Sequence, residues 1–185
     1  MIRILGIAGS IRRDSYNKAL LNEAAMLLPT NAEMKIFDIG KLPLFNQDLE
    51  ADLPDVVKEF KNEVEKCDAL LIATPEYNRS VPGVLKNAID WASRPPGQNS
   101  FDGKPVATMG ASTGSLGTAV VQYHLREIFA FLNMHPVEKP SVFVANADKK
   151  IKNGRVIDEE TRKRIGELIE NLVKWAIKIG VSDAK

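Results

Sequence analysis

The chain has one cysteine, Cys67, and two histidines, His124 and His135, in 185 residues. A lone thiol excludes an internal disulfide framework. Cys67 lies beside Asp68 with no histidine or metal-ligand spacing nearby, so it reads as a buried structural thiol and not a reactive one. The two histidines fall in or just after one helix and lack the ligand clusters of a zinc site, so no metal is expected. Charge of either sign is not in excess: 25 Lys and Arg nearly cancel 24 Asp and Glu. That balance leaves no global field to recruit nucleic acid or an acidic membrane, and it counts against a strongly acidic electron-carrier surface. No apolar run is long enough to cross a bilayer, and the apolar core of MIRILGIAGS is too short and strand-like for a signal peptide. The Asn78-Arg79-Ser80 triplet therefore carries no weight as a glycosylation site, and the expected compartment is the cytoplasm. Two nucleotide motifs are missing as well. Without Gly-Lys-Ser/Thr there is no Walker loop, and without G-x-G-x-x-G Asp38 is not a Rossmann ribose ligand.

What is present is ordinary in amount and informative in order. Hydrophobic residues make up 44% and charged residues 26%, as in a soluble globular protein. The length suits one domain, residues 1–185, with no internal repeat or linker. Apolar runs at 2–8, 33–37, 69–73, 106–111 and 141–145 predict strands. Between them lie helical patterns: Ala19, Leu20, Ala24 and Leu27; Val57, Phe60 and Val64; Leu85, Ala88, Ile89 and Ala92; and residues 118–132. The last helix is capped by Asp158, carries Glu159 and Glu160 at its positive end, and is expected to stop at Gly180. Strands alternating with helices predict an α/β three-layer sandwich. Right-handed crossovers favour a five-stranded parallel sheet of order 2-1-3-4-5 with helices on both faces.

In that order the polar loops after strands one, three and four meet at one sheet edge, the usual ligand edge. The first, GSIRRDSYN, collects Ser10, Arg12, Ser15 and Asn17 ahead of a helix N-terminus, where amides and dipole favour a phosphate. A well-capped helix start is the alternative reading. The second follows strand Ala69–Ala73. Pro75 has no N–H and biases Thr74 away from helix, and Pro82 suits a first helical turn. Glu76, Tyr77, Asn78 and Arg79 between those prolines form a platform for a flat ligand, or else a plain strand–helix connection. The third, STGSLG, has small residues that let backbone amides approach a ligand. Together the loops offer a flavin ring both donors and acceptors. No Ser-His-Asp order, flanking carboxylate pair or metal cluster accompanies them, so a cofactor would carry the chemistry.

GSIRRDSYN, LPLFNQDLE, TPEYNRSVPGVLKNAIDW and GASTGSLGT resemble, in order, the signatures of the NADPH-dependent FMN reductase family, most closely its bacterial quinone and chromate reductase branch. The similarity covers roughly residues 3–140 and implies a flavodoxin-like fold. It assigns the FMN phosphate to Ser10, Arg12, Ser15 and Asn17, with Tyr16 nearby. It places Pro75, Glu76, Tyr77 and Asn78 along the flavin ring, and Ser112, Thr113, Gly114 and Ser115 at its other side. Arg79 stands where many relatives carry a small residue, often Gly; it could attract the phosphate of NADPH or be a solvated surface arginine.

The resemblance implies a ping-pong oxidoreductase in which NADPH or NADH passes hydride to FMN, and the reduced flavin then serves a small-molecule acceptor such as a quinone, free flavin, azo dye or chromate. Amides of the 112–117 loop would stabilise the reduced ring, at ~3 kcal/mol per donor in enzymes that depend on them, and no side chain is expected as catalytic acid or base. A flavodoxin-type electron carrier without direct NAD(P)H oxidation is the alternative; a phosphate-binding domain without redox chemistry is a third. The resemblance also implies a homodimer or homotetramer, and the charge balance and lack of a long apolar run predict no nucleic-acid or membrane partner. Trp91, lying off the inward helix face, and Tyr123, Phe131 and Phe45 are the candidate subunit contacts.

Overall fold

A computed structural model of the chain describes residues 1–183. Five parallel positions form the sheet: β2 (Ala32–Phe37), β1 (Ile2–Ala8), β3 (Ala69–Ala73), β4 (Pro105–Ala111), then an edge position divided between β5 (His135–Pro136) and β6 (Val142–Val144). The order is the 2-1-3-4-5 expected from right-handed crossovers. Residues alternate across the sheet with period two. Leu5, Ile7, Leu70, Ile72 and Val106 enter one core layer, against α2 (Asp55–Lys66), α3 (Gly83–Ala92) and α4 (Ala119–Phe131). Ile4, Ala8, Ala69, Leu71, Ala73, Ala107 and Ala111 enter the other, against α1 (Tyr16–Met26), the one-turn α5 (Ala147–Lys150) and α6 (Glu159–Asp183). The second layer is alanine-rich, so its helices sit close to the sheet.

A few long polar side chains fix the helices where apolar packing alone would let them slide. Glu23, buried on α1, accepts from Arg162 Nε of α6 at 2.8 Å. Lys61 Nζ donates to the carbonyls of Ala92, Arg94 and Gln98, closing the C-terminal end of α3, and burial lowers its pKa. Asp158 caps α6 through the Thr161 amide (2.9 Å) and hydroxyl (2.6 Å), as its position predicts. Cys67 is buried, its Sγ donates to Val64 O, and burial pushes the thiol up to about 11. The structural reading of this cysteine therefore holds.

Several expectations change. The fifth strand is three residues long and shares its edge with β5; Pro140 lies in the gap between the two, where it cannot donate to the ladder and where an edge tolerates it. The last helix does not stop at Gly180: it continues to Asp183, and Gly180 takes no left-handed cap conformation. Trp91 is fully buried and is no subunit contact. The 38–50 loop folds over α3, so Trp91 Nε1 donates to Pro43 O (2.8 Å) and Phe45 packs edge-on at 5.0 Å. That contact also leaves Phe45 only half-exposed; Tyr123 and Phe131 remain open to solvent. No described helix is long and apolar enough to cross a membrane.

Candidate functional site

The chain leaves β1, β3 and β4 at the same edge, and the three loops that follow enclose a cavity of about 370 Å³. Ser10, Arg12, Ser15, Tyr16 and Asn17 line one part of it, Pro75, Glu76 and Tyr77 another, and Ala111, Ser112 and Thr113 the rest. The volume lies within the usual range for small-molecule sites, ~300–1,000 Å³.

The first loop is built from buried polar groups. Ser15 caps α1, its Oγ accepting from Asn17 N at 3.2 Å. Ser10 Oγ accepts from Arg12 N at 3.4 Å, and the exposed Arg12 guanidinium lies 5.3 Å from the Tyr16 ring centroid. Asn17 departs from expectation. Its Nδ2 donates to Ala111 O (3.1 Å) and its Oδ1 accepts from Ala111 N (2.9 Å), so this amide joins α1 to the end of β4. It holds the site's shape, while Ser10, Arg12, Ser15 and the first turn of α1 form the rest of this end of the cavity.

The second loop is open. Pro75 is buried and Glu76 half-buried, but Tyr77 is 54% exposed and Asn78 and Arg79 are exposed as well. Tyr77 and Ser80 exchange backbone hydrogen bonds across Asn78 (φ 51°) and Arg79 (φ 61°), a two-residue turn with both central residues left-handed. Such turns favour Asn followed by Gly. The arginine thus occupies the position where glycine is at ease. Glu76 faces away from the turn: its Oε2 accepts from Val121 N (3.1 Å), in the first turn of α4. Thr118, preceding α4, has φ 73° and makes no side-chain cap bond, so Glu76 supplies the missing acceptor from a distant segment.

The third loop is tied to the segment after β6. Ser112 N donates to Val144 O (3.1 Å), Ala147 N to Ser112 O (3.0 Å) and Asn146 N to Gly114 O (3.3 Å). The Ser112 amide is therefore committed within the protein, which leaves the amides beyond it for a ligand. Gly117 (φ 56°) is set by packing, since a Cβ there would lie 2.7 Å from the Phe143 and Ala145 backbone. Under both loops, a Cβ on Gly110 would collide with the Thr118 hydroxyl and the Thr74 carbonyl.

Ten of the thirteen residues that the family resemblance assigns line this one cavity; Asn78, Gly114 and Ser115 lie outside its lining. Ala111 was missed. Its signal was its place as the last residue of a strand leading into a polar loop, which carries no chemistry of its own. The donor set suits FMN. Hydroxyls, a guanidinium and a helix start gather at one end for a phosphate, and an aromatic ring with mixed donors and acceptors gathers at the other for a heterocycle. No group of acids, histidines or cysteines among the described residues could hold a metal ion.

Comparison with known proteins agrees with this chemistry. Residues 2–149 match the model of the NADPH-dependent FMN reductase family, and the chain belongs to that family. It is 47% identical to an NAD(P)H-dependent FMN reductase of Pseudomonas aeruginosa over 96% of this chain and 97% of that one. It is 44% identical to a 2-hydroxy-1,4-benzoquinone reductase of a Burkholderia species, over 94% of this chain and 96% of the relative. The solved structure of a flavoenzyme NAD(P)H:(acceptor) oxidoreductase from Paracoccus denitrificans superposes with a TM-score of 0.87 at 38% identity, covering 96% of this chain and 98% of its own. The fold is accordingly flavodoxin-like.

Proposed function

We propose that this member of the NADPH-dependent FMN reductase family is an NAD(P)H:quinone reductase working by a ping-pong mechanism, with FMN held in the three-loop cavity. The observation that carries the reading is the convergence of Ser10, Arg12, Ser15, Pro75, Tyr77 and Thr113 on one cavity at the carboxyl edge of the sheet. Ser10, Arg12 and Ser15 hold the phosphate, while Asn17 and Tyr16 fix the loop around it. Pro75, Glu76 and Tyr77 bound the ring on one side, with Asn78 at the rim, and Ser112, Thr113, Gly114 and Ser115 bound it on the other. When bound, FMN supplies the two-electron chemistry between nicotinamide and acceptor. The protein's own groups bind, orient and shield; none acts as a catalytic acid or base.

The exposed Tyr77 side leaves one mouth, which donor and acceptor must use in turn. The Burkholderia relative's name makes a quinone the first acceptor to test; free flavin, azo dyes and chromate follow. We further propose that residues 1–185 act as one cytoplasmic unit, assembled as a homodimer or homotetramer. The exposed Tyr123 and Phe131 on α4 are candidate contacts that support this assembly.

Purified protein should carry or take up FMN, be bleached by NADPH without oxygen, and recover its colour on addition of benzoquinone. Initial velocities against both substrates should give parallel reciprocal plots. Protein that neither binds FMN nor bleaches it sinks the reading, and intersecting plots remove the ping-pong order.

A further inference from the structure

Beside the three-loop cavity lies a larger groove, of about 500 Å³, that the reading above does not use. It runs between α1 and the hairpin of β7 (Ile151–Lys152) and β8 (Arg155–Val156). Arg12, Arg13, Lys18 and Lys152 line it, against the carboxylates Asp14 and Asp148. Among the described residues none of these six takes part in an ion pair. Lys18 Nζ reaches only the Ile11 carbonyl, at 3.4 Å. Four cations outside any ion pair, drawn from two separate segments (12–18 and the hairpin at Lys152) onto one concave surface, are matched by a phosphate-bearing ligand.

The groove shares Arg12, Ser15 and Tyr16 with the flavin cavity, so the two abut across the Arg12–Tyr16 stack. A dinucleotide whose nicotinamide lies along the flavin ring and whose chain runs back toward the Arg12–Tyr16 stack lays its adenosine half in this groove. We infer that this groove receives the adenosine half of NADPH and that its cations read the 2′-phosphate. Arg79 is the competing candidate, but it offers one charge on an exposed turn, whereas Arg13, Lys18 and Lys152, none of them assigned to the FMN phosphate, share one concave surface. The inference rests on the proposed reductase function and predicts a preference for NADPH over NADH.

The test is the double variant Arg13→Ala/Lys152→Ala as FMN-loaded protein, which leaves Arg12 intact. With quinone held constant, kcat/KM for NADPH should fall about tenfold, equivalent to ~1.4 kcal/mol, and that for NADH less than about twofold. In calorimetry 2′,5′-ADP should bind the natural protein and lose its affinity in the variant. An equal fall for both donors, no fall, or the same selective fall in Arg79→Gly alone would overturn the inference. So would inorganic phosphate binding as tightly as 2′,5′-ADP, which would make the groove a simple anion site. If neither protein retains FMN or oxidises either donor, the reductase reading fails separately, and the calorimetric arm still decides what the groove binds.

Discussion

At the Ser10–Asn17 end of the cavity the serines and the asparagine are buried and already bonded to the protein. At the Tyr77–Arg79 end the side chains stand in solvent on a turn of two left-handed residues. The first end has its conformation settled during folding, so the phosphate proposed to bind there would meet groups that lose little further freedom. The second end leaves its side chains exposed and, among the described residues, without side-chain partners at the proposed mouth. Preorganisation at the anchor and looseness at the mouth suit an enzyme that keeps one cofactor and meets several partners.

The contrast can be broken from either end. Asn17→Ala should have the largest effect, because it leaves both the N–H and the C=O of buried Ala111 without partners. A loss of about 3 kcal/mol in urea unfolding is expected, with poor FMN retention. Asn17→Asp, which keeps the acceptor for Ala111 N, should fall between. A near-neutral Asn17→Ala would mean that the anchor is not preorganised by this amide. Ser15→Ala removes the α1 cap and should cost about 1 kcal/mol. Its FMN dissociation constant, followed by flavin fluorescence, should rise about tenfold; unchanged affinity would move the phosphate away from Ser15.

At the open end the effects are smaller and one reverses sign. Arg79→Gly relieves a left-handed residue, a penalty of ~1–2 kcal/mol. The freedom glycine adds to the unfolded chain takes back ~0.5–1 kcal/mol. A net gain of about 0.5 kcal/mol should appear in the urea midpoint, and a loss would show that the guanidinium contributes a contact of its own. Tyr77→Ala should change stability by less than about 0.5 kcal/mol, as expected for an exposed position. Its KM for quinone should nevertheless rise several-fold; a destabilised variant would make Tyr77 part of the fold and erase the contrast.

Local pattern carried most of the architecture. The apolar runs of β1, β3 and β4 bury both faces of the sheet and are legible without knowing their neighbours. The polar loops after them follow from strand order alone. Trp91 was misread because helical spacing describes one face of α3, whereas the 38–50 loop covers another. Gly180 was misread because glycine permits a helix stop without compelling one. The edge strand came out short because Pro140, just before it, cannot donate to the ladder.

The chain by itself determined the sheet order, the ligand edge and the kinds of side chain gathered there, since each follows from periodicity and the stereochemistry of crossovers. Only the tertiary structure decided which of those polar groups face a ligand and which face the protein. Asn17 finds its partner 94 residues away at Ala111, and Glu76 caps a helix 45 residues on at Val121. A hydrogen bond is satisfied by proximity in space, and no local pattern in a sequence records which distant backbone group will arrive beside an amide or a carboxylate.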